Sequence, residues 1–147
     1  VNDRVDVALA VAADGVHLGQ DDLPVAQARQ LLGPQYIIGA TCETAAEVEM
    51  ATAAGASYIG TGPVYATPSK PDAGAPYGPA VVARAHAATH LPVVGIGGIG
   101  IGTAAPVIRA GGCGVAVISS VLSASDPAAA ARTLVSEVQS AKEETSR

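Results

Sequence analysis

The sequence has no Phe and no Trp, and aromatic residues make up only 3% of it. Its core must be built from Val, Ile, Leu and Ala, which suits thin, regular layers better than a bulky aromatic centre. Cysteine is almost as scarce. Cys42 and Cys113 stand far apart with no metal-ligand partner at motif spacing, which reads as reduced thiols in a cytosolic protein. Charge is thin as well: charged residues are 14%, with eight Lys plus Arg against thirteen Asp plus Glu and a formal net charge of -5. Such a balance disfavours a nucleic-acid partner, although one local basic group can still hold a phosphate. Apolar runs break at Gly, Pro or a charge well before the roughly 18 residues of a membrane span, and no basic leader precedes one. The expectation is a soluble, cytoplasmic protein with no membrane partner.

What the sequence does have is apolar aliphatics, with 49% hydrophobic residues, 17 Gly and 10 Pro, in 147 residues that make one domain by size. A rhythm repeats along it: a short Val/Ile/Gly run, a polar or glycine-rich turn, then an Ala-rich helical stretch. GVHLG leads through QDD to PVAQARQLL, with Pro24 at a first helical turn where its missing N–H is harmless. YIIGA leads through TCE to TAAEVEMATAAG, where Thr44 and Glu47 have capping-box spacing and Gly55 reads as the stop. SYIGTG leads through the long loop PVYATPSKPDAGAPY to PAVVARAHAAT. PVVGIGGIG leads to TAAPVIRAGG, with Pro106 a blemish in the helical pattern, and CGVAVISS leads through VLSASD to a last helix from Pro127. The opening RVDVALAVAA reads as a short helix with no strand of this count before it.

The five runs are nearly continuous in apolar residues, as strands covered on both faces are, and the helices between them predict a parallel sheet with right-handed crossovers. Two architectures fit. A five-stranded open doubly wound sheet would be complete at this length, whereas an eight-stranded barrel takes about 250 residues. The turns favour the barrel: the unusual polar residues all follow strands, and Gly97–Gly98 and Ser119–Ser120 end the last two runs, where barrels place a phosphate.

NDRVDVALA, DGVHLGQDDLP, YIIGATCE, YIGTGPVYATPSKPDAG, PVVGIGGI and GVAVISS, in this order and spacing, resemble the thiamine-phosphate synthase family over residues 1 to about 122. The resemblance implies a TIM (β/α)8 barrel whose members join a hydroxymethylpyrimidine diphosphate to a thiazole phosphate with Mg2+, releasing pyrophosphate. It makes Val1–Asp3 the end of a third strand and the five runs strands four to eight, so residues 1–147 form one partial barrel domain.

Site residues carry over position by position. Asn2 and Asp3, which by themselves read equally well as helix-cap residues, correspond to a diphosphate contact and a Mg2+ ligand. Asp22 corresponds to the second metal carboxylate, with Asp21 its more exposed neighbour; a solvated acidic turn after Gln20 is the plainer reading. Thr41 stands where the family usually has Ser, near the departing diphosphate, and keeps the hydroxyl. Lys70 corresponds to the diphosphate contact that stabilises leaving-group charge. Thr67 and Ser69, where the family commonly has Thr, correspond to the thiazole-phosphate site, which Gly97, Gly98, Ile118, Ser119 and Ser120 complete. His17 reads as a packed or supporting histidine, Cys42 carries no chemical role, Glu43 stands where a His is frequent, and Tyr65 and Tyr77 are pocket walls or plain packing.

Two other readings stay open. A thiazole tautomerase of the same shape has no need of a magnesium-diphosphate site, against which NDR, QDD and TPSKP argue. A non-catalytic phosphate-binding fragment is the other, because the family's basic second strand lies outside these residues. Removal of three strands leaves sheet edges open, so a homo-oligomer or a longer parent chain is expected, and the 147 residues alone are expected to lack normal activity.

Overall fold

The computed structural model describes residues 1–69 and 74–146. In it five strands, β1 (Gly15–Leu18), β2 (Ile37–Thr41), β3 (Tyr58–Thr61), β4 (Val93–Ile96) and β5 (Gly114–Ala116), lie side by side in chain order. Every neighbouring pair is parallel. A doubly wound sheet reverses its strand order at a switch point, whereas a barrel wall advances one neighbour at a time. The uninterrupted order therefore makes this sheet part of a (β/α)8 barrel.

The polar opening segment belongs to the same sheet. His17 N–H donates to the Val1 carbonyl at 2.9 Å and Asp3 N–H donates to the His17 carbonyl at 2.8 Å, which sets Asn2 opposite His17 in a parallel bridge. Val1–Asp3 thus runs parallel to β1 through an isolated bridge.

Seven helices accompany the strands among the described residues: α1 (Val5–Ala10), α2 (Val25–Leu32), α3 (Ala45–Ala53), α4 (Ala80–Ala87), α5 (Ala104–Arg109), α6 (Ser119–Leu122) and α7 (Pro127–Thr145). Their ends follow local chemistry. Thr44 and Glu47 close the expected capping box at α3, and Gly55, at φ +93°, takes the left-handed turn after it. Asp126 accepts from Ala129 N–H at 2.9 Å, with Pro127 in the first turn of α7. The sequence pattern missed α6, because a single turn is too short to show a period. None of the described helices is long and apolar enough to cross a membrane.

One face of the sheet is packed. Ile59 and Val93 point to the helices and are buried in one cluster with Val48, Val82 and Val107, and Ile38 is buried in a second with Val5, Ala28 and Leu32, each contributing about 1.5–3 kcal/mol by leaving water. The other face is not the second apolar layer that the continuous runs predict. It carries His17, Gly39, Thr41, Tyr58 and Gly60, and Ile37 and Ile96 remain 51% and 38% exposed. At the strands' N-terminal ends Arg29 ties two returns together, donating to the carbonyls of Gly33, Tyr36 and Gly55 and to Ser57 Oγ.

Pro106 proves compatible with its helix because it is the third residue of α5, where a backbone N–H has no intrahelical acceptor. The other N–H groups of that turn find one in α7. Glu137 accepts from Gly102, Ala104 and Ala105 at 2.7, 2.9 and 2.9 Å. Desolvation raises its pKa, but these three donors outweigh it and hold the carboxyl below its ordinary value of 4.5. A lowered folded pKa adds stability that is complete above the unfolded value and is lost as pH falls through the folded one. Glu137→Gln is expected to cost about 1–2 kcal/mol at neutral pH, with the gap to the parent narrowing below pH 4.5. Urea titrations at several pH values measure it, and a gap that widens in acid would contradict the sign.

Candidate active site

Turns that leave the C-terminal ends of β2, β3, β4 and β5 enclose a cavity of about 180 Å³. Gly97 and Gly98 form its floor at φ +92° and +63°. A Cβ on Gly97 would stand 2.8 Å from Pro63 Cα, and one on Gly98 would stand 2.4 Å from the Ala66 carbonyl oxygen. The long loop after β3 therefore rests directly on the glycine turn, pinned by Val64 N–H to the Ile96 carbonyl and Tyr65 N–H to the Gly97 carbonyl, both at 2.9 Å. That contact brings Thr67 and Ser69 to the rim, where Thr67 Oγ1 accepts from Ser69 N–H at 3.2 Å. Thr41 lines the cavity from β2, and Ile118 and Ser119 close it at the start of α6. Ser120 lies just behind, its Oγ buried with no hydrogen-bond partner among the described residues. Lys70 lies outside the described residues.

The two acidic candidates stand to one side of this cavity. Asp22 turns back on its own loop, its Oδ2 accepting from Gly19 N–H at 2.7 Å. Asp3 follows the bridge residue Asn2 in the left-handed region at φ +64°, and its Oδ1 accepts from Asn2 Nδ2 at 2.7 Å. Both carboxylates lie near enough to His17 for their charge to raise its pKa. Burial wins, and the imidazole titrates below its usual value. No group of three or more His, Cys, Asp and Glu with metal-site geometry occurs among the described residues. Two carboxylates are nevertheless enough for a hard cation that keeps several waters and takes its remaining oxygens from phosphate.

His17 joins the acidic side to the cavity. Its Nδ1 lies 2.8 Å from Tyr58 Oη and its Nε2 lies 2.8 Å from Thr41 Oγ1. Sheet register makes this possible: His17 is paired with Gly39, and Gly39 with Tyr58, so the two rings meet across a residue without a side chain. A Cβ at Gly39 would come within 2.4 Å of His17 Nδ1, and one at Gly60 within 2.9 Å of His17 Cε1. Asn2, His17 and Tyr58 also border a hollow of about 500 Å³ on this face, which shares Ile96 and Ala116 with the smaller cavity. Tyr58 escaped the sequence reading. Its signal was the pair of glycines at the same depth of β2 and β3, legible only once the register is known.

The remaining candidates take supporting places. Gln20 Nε2 donates to the Thr41 carbonyl. Glu43 borders the cavity and accepts from the Tyr77 hydroxyl at 2.8 Å, so Tyr77 braces the rim without lining the cavity. Tyr65 packs against the core and donates to the Thr103 carbonyl at 3.3 Å. Cys42 is buried, which pushes its thiol up to about 11 and makes it a poor nucleophile.

The family model for thiamine monophosphate synthase matches residues 1–121. The chain is 70% identical over 146 residues to the thiamine biosynthesis bifunctional protein ThiM/ThiE of Symbiobacterium thermophilum, covering 99% of this chain and 30% of that protein. It is 52% identical over 147 residues to the thiamine-phosphate synthase of a Roseiflexus species, covering 100% of this chain and 62% of that one. Among solved structures, thiamine phosphate pyrophosphorylase from Pyrococcus furiosus superposes with a TM-score of 0.81 at 40% identity, covering 99% of this chain and 67% of that chain. The chain thus spans less than two thirds of these two curated relatives.

Proposed function

The chain belongs to the thiamine monophosphate synthase family, and from that premise we propose that it supplies the metal-facing and thiazole-phosphate-facing part of a thiamine-phosphate synthase. The observation that carries this reading is the convergence of Thr41, Thr67, Ser69, Gly97, Gly98, Ile118 and Ser119, scattered along the sequence, around one cavity at the strand ends. Small hydroxyl and glycine residues with room for backbone N–H groups suit a phosphate. No side-chain nucleophile or triad is needed for the coupling, and its demands are positioning and charge.

In this reading the C–O bond between the pyrimidine methylene and the diphosphate breaks, pyrophosphate leaves, and the thiazole nitrogen forms the new C–N bond to the methylene. Thr67, Ser69, Gly97, Gly98, Ile118 and Ser119 hold the thiazole phosphate. Asn2, Thr41 and Lys70 hold the diphosphate, and Lys70 offsets the negative charge that grows on the leaving oxygens. Asp3 and Asp22 would hold Mg2+, which would supply positive charge against the diphosphate oxygens. The carboxylate pair is the feature that favours the synthase over a tautomerase, whose chemistry has no diphosphate to balance.

The test is formation of thiamine phosphate from the pyrimidine diphosphate and the thiazole phosphate by a protein of the relatives' length carrying these residues. Turnover that stops on chelation of Mg2+ is expected. Conversion of unaromatised thiazole phosphate without coupling would favour the tautomerase. The 147 residues by themselves are expected to couple poorly, because the inner sheet face and the β5 edge stay open to water. Efficient Mg2+-dependent product formation by that purified chain alone would contradict this.

A further inference from the structure

We propose that Tyr58, His17 and Thr41 form a one-way hydrogen-bond relay that presents the Thr41 hydroxyl hydrogen to an anionic oxygen in the cavity. The proposal makes His17 and Tyr58 positioning residues and rests on the synthase reading only for the identity of that anion.

The direction follows from the chemistry of the three groups. Each imidazole nitrogen has one partner at 2.8 Å, so a neutral ring donates at one nitrogen and accepts at the other. A phenol, with a pKa of about 10, is a far more acidic donor than an alkyl alcohol and a weaker acceptor. Tyr58 O–H therefore donates to Nδ1, the ring proton sits on Nε2, and Nε2–H donates to Thr41 Oγ1. With that lone pair engaged, the threonine hydrogen is left to point away from the ring, into the cavity that Thr41 lines.

The residue is fixed at a second point, since Gln20 Nε2 donates to its carbonyl from the β1–α2 turn. Room for the relay is built into the backbone. Gly39 and Gly60 leave the slot in which the imidazole lies, and a Cβ at either would collide with it. Nothing in the helix-side core needs these two glycines, because both face the opposite side of the sheet.

The test uses a protein of the relatives' length, 15N-labelled at histidine, with His17→Gln assigning the His17 signals by their loss. The expected spectrum has a pyrrole-type Nε2 and a pyridine-type Nδ1 for His17, and Tyr58→Phe is expected to convert it to a mixture of tautomers. Inorganic pyrophosphate, titrated by calorimetry with Mg2+ present, is expected to bind about tenfold more weakly to Thr41→Val and to His17→Ala. His17→Gln, which keeps an N–H donor in reach of Thr41, is expected to recover most of that affinity. The His17→Ala/Thr41→Val double variant is expected to lose little more than either single variant.

Tyr58→Phe leaves both downstream residues in place and so keeps the test valid where His17→Ala fails to fold. A wild-type ring protonated at Nδ1 overturns the relay, as does a double variant that loses the product of the two single effects. No measurable pyrophosphate binding by the wild type overturns the anion as recipient. A protein with the expected tautomer and non-additive losses of pyrophosphate affinity in the double variant, yet no thiamine-phosphate formation, counts against the synthase reading and leaves the relay standing.

Discussion

Gly98→Ala is expected to cost about 3 kcal/mol of stability, assembled from two terms of known size. Holding a residue with a Cβ at φ +63° costs about 1–2 kcal/mol. A Cβ there also stands 2.4 Å from the Ala66 carbonyl oxygen and 2.8 Å from Tyr65 C, and relieving such an overlap against backbone costs about 1–3 kcal/mol. Gly102 separates the two terms. It sits at φ +85° with nothing within 4 Å of an added Cβ, so Gly102→Ala is expected to show the backbone cost alone, about 1–2 kcal/mol. Urea midpoints of both variants measure the difference. Gly98→Ala should also push the Thr67–Ser69 rim off the glycine turn, weakening phosphate binding while Gly102→Ala leaves it near the parent. Equal destabilisation by the two variants would mean that the close approach of the loops carries no weight.

Asp3→Asn and Asp22→Asn are each expected to reduce Mg2+-dependent coupling by about a hundredfold or more, since changing even the outer partners of a metal site costs about 10–100-fold. Both replacements keep shape. Asn tolerates the left-handed backbone that residue 3 adopts at φ +64°, and an amide oxygen at residue 22 can still accept from Gly19 N–H. Folding stability should therefore stay close to the parent, and the apparent Mg2+ requirement should rise. Asp21→Asn is the control, because that exposed carboxylate has no role in the proposed site. Steady-state rates of the variants in a protein of the relatives' length, across a Mg2+ titration, check the set. Loss at residue 21 equal to loss at residue 22 would refute the assignment of the metal ligand.

Much of this protein is legible along the chain because its causes are local. Thr44 with Glu47 and Pro127 mark helix starts through chemistry within one turn. The five apolar runs and the stretches between them announce βα units, and the ordered motifs carry Thr41, Thr67, Ser69, Gly97, Gly98, Ile118 and Ser119 to one site. Pro106 was readable as an anomaly but not as a fit, since the acceptor that serves the rest of its turn, Glu137, comes from α7.

The βα alternation, the capping box at Thr44 and the residues that follow each strand can be read along the chain, because periodicity, capping and turn chemistry act between residues a few positions apart. Which of those residues meet follows from strand order, register and loop packing. Strand order separates a barrel wall from a doubly wound sheet of the same length. Register sets His17 and Tyr58 across Gly39, and the stacking of one loop on another brings Thr67 to the cavity that Gly98 lines. Those outcomes depend on side chains that are present, or missing, on neighbouring strands far apart in the chain.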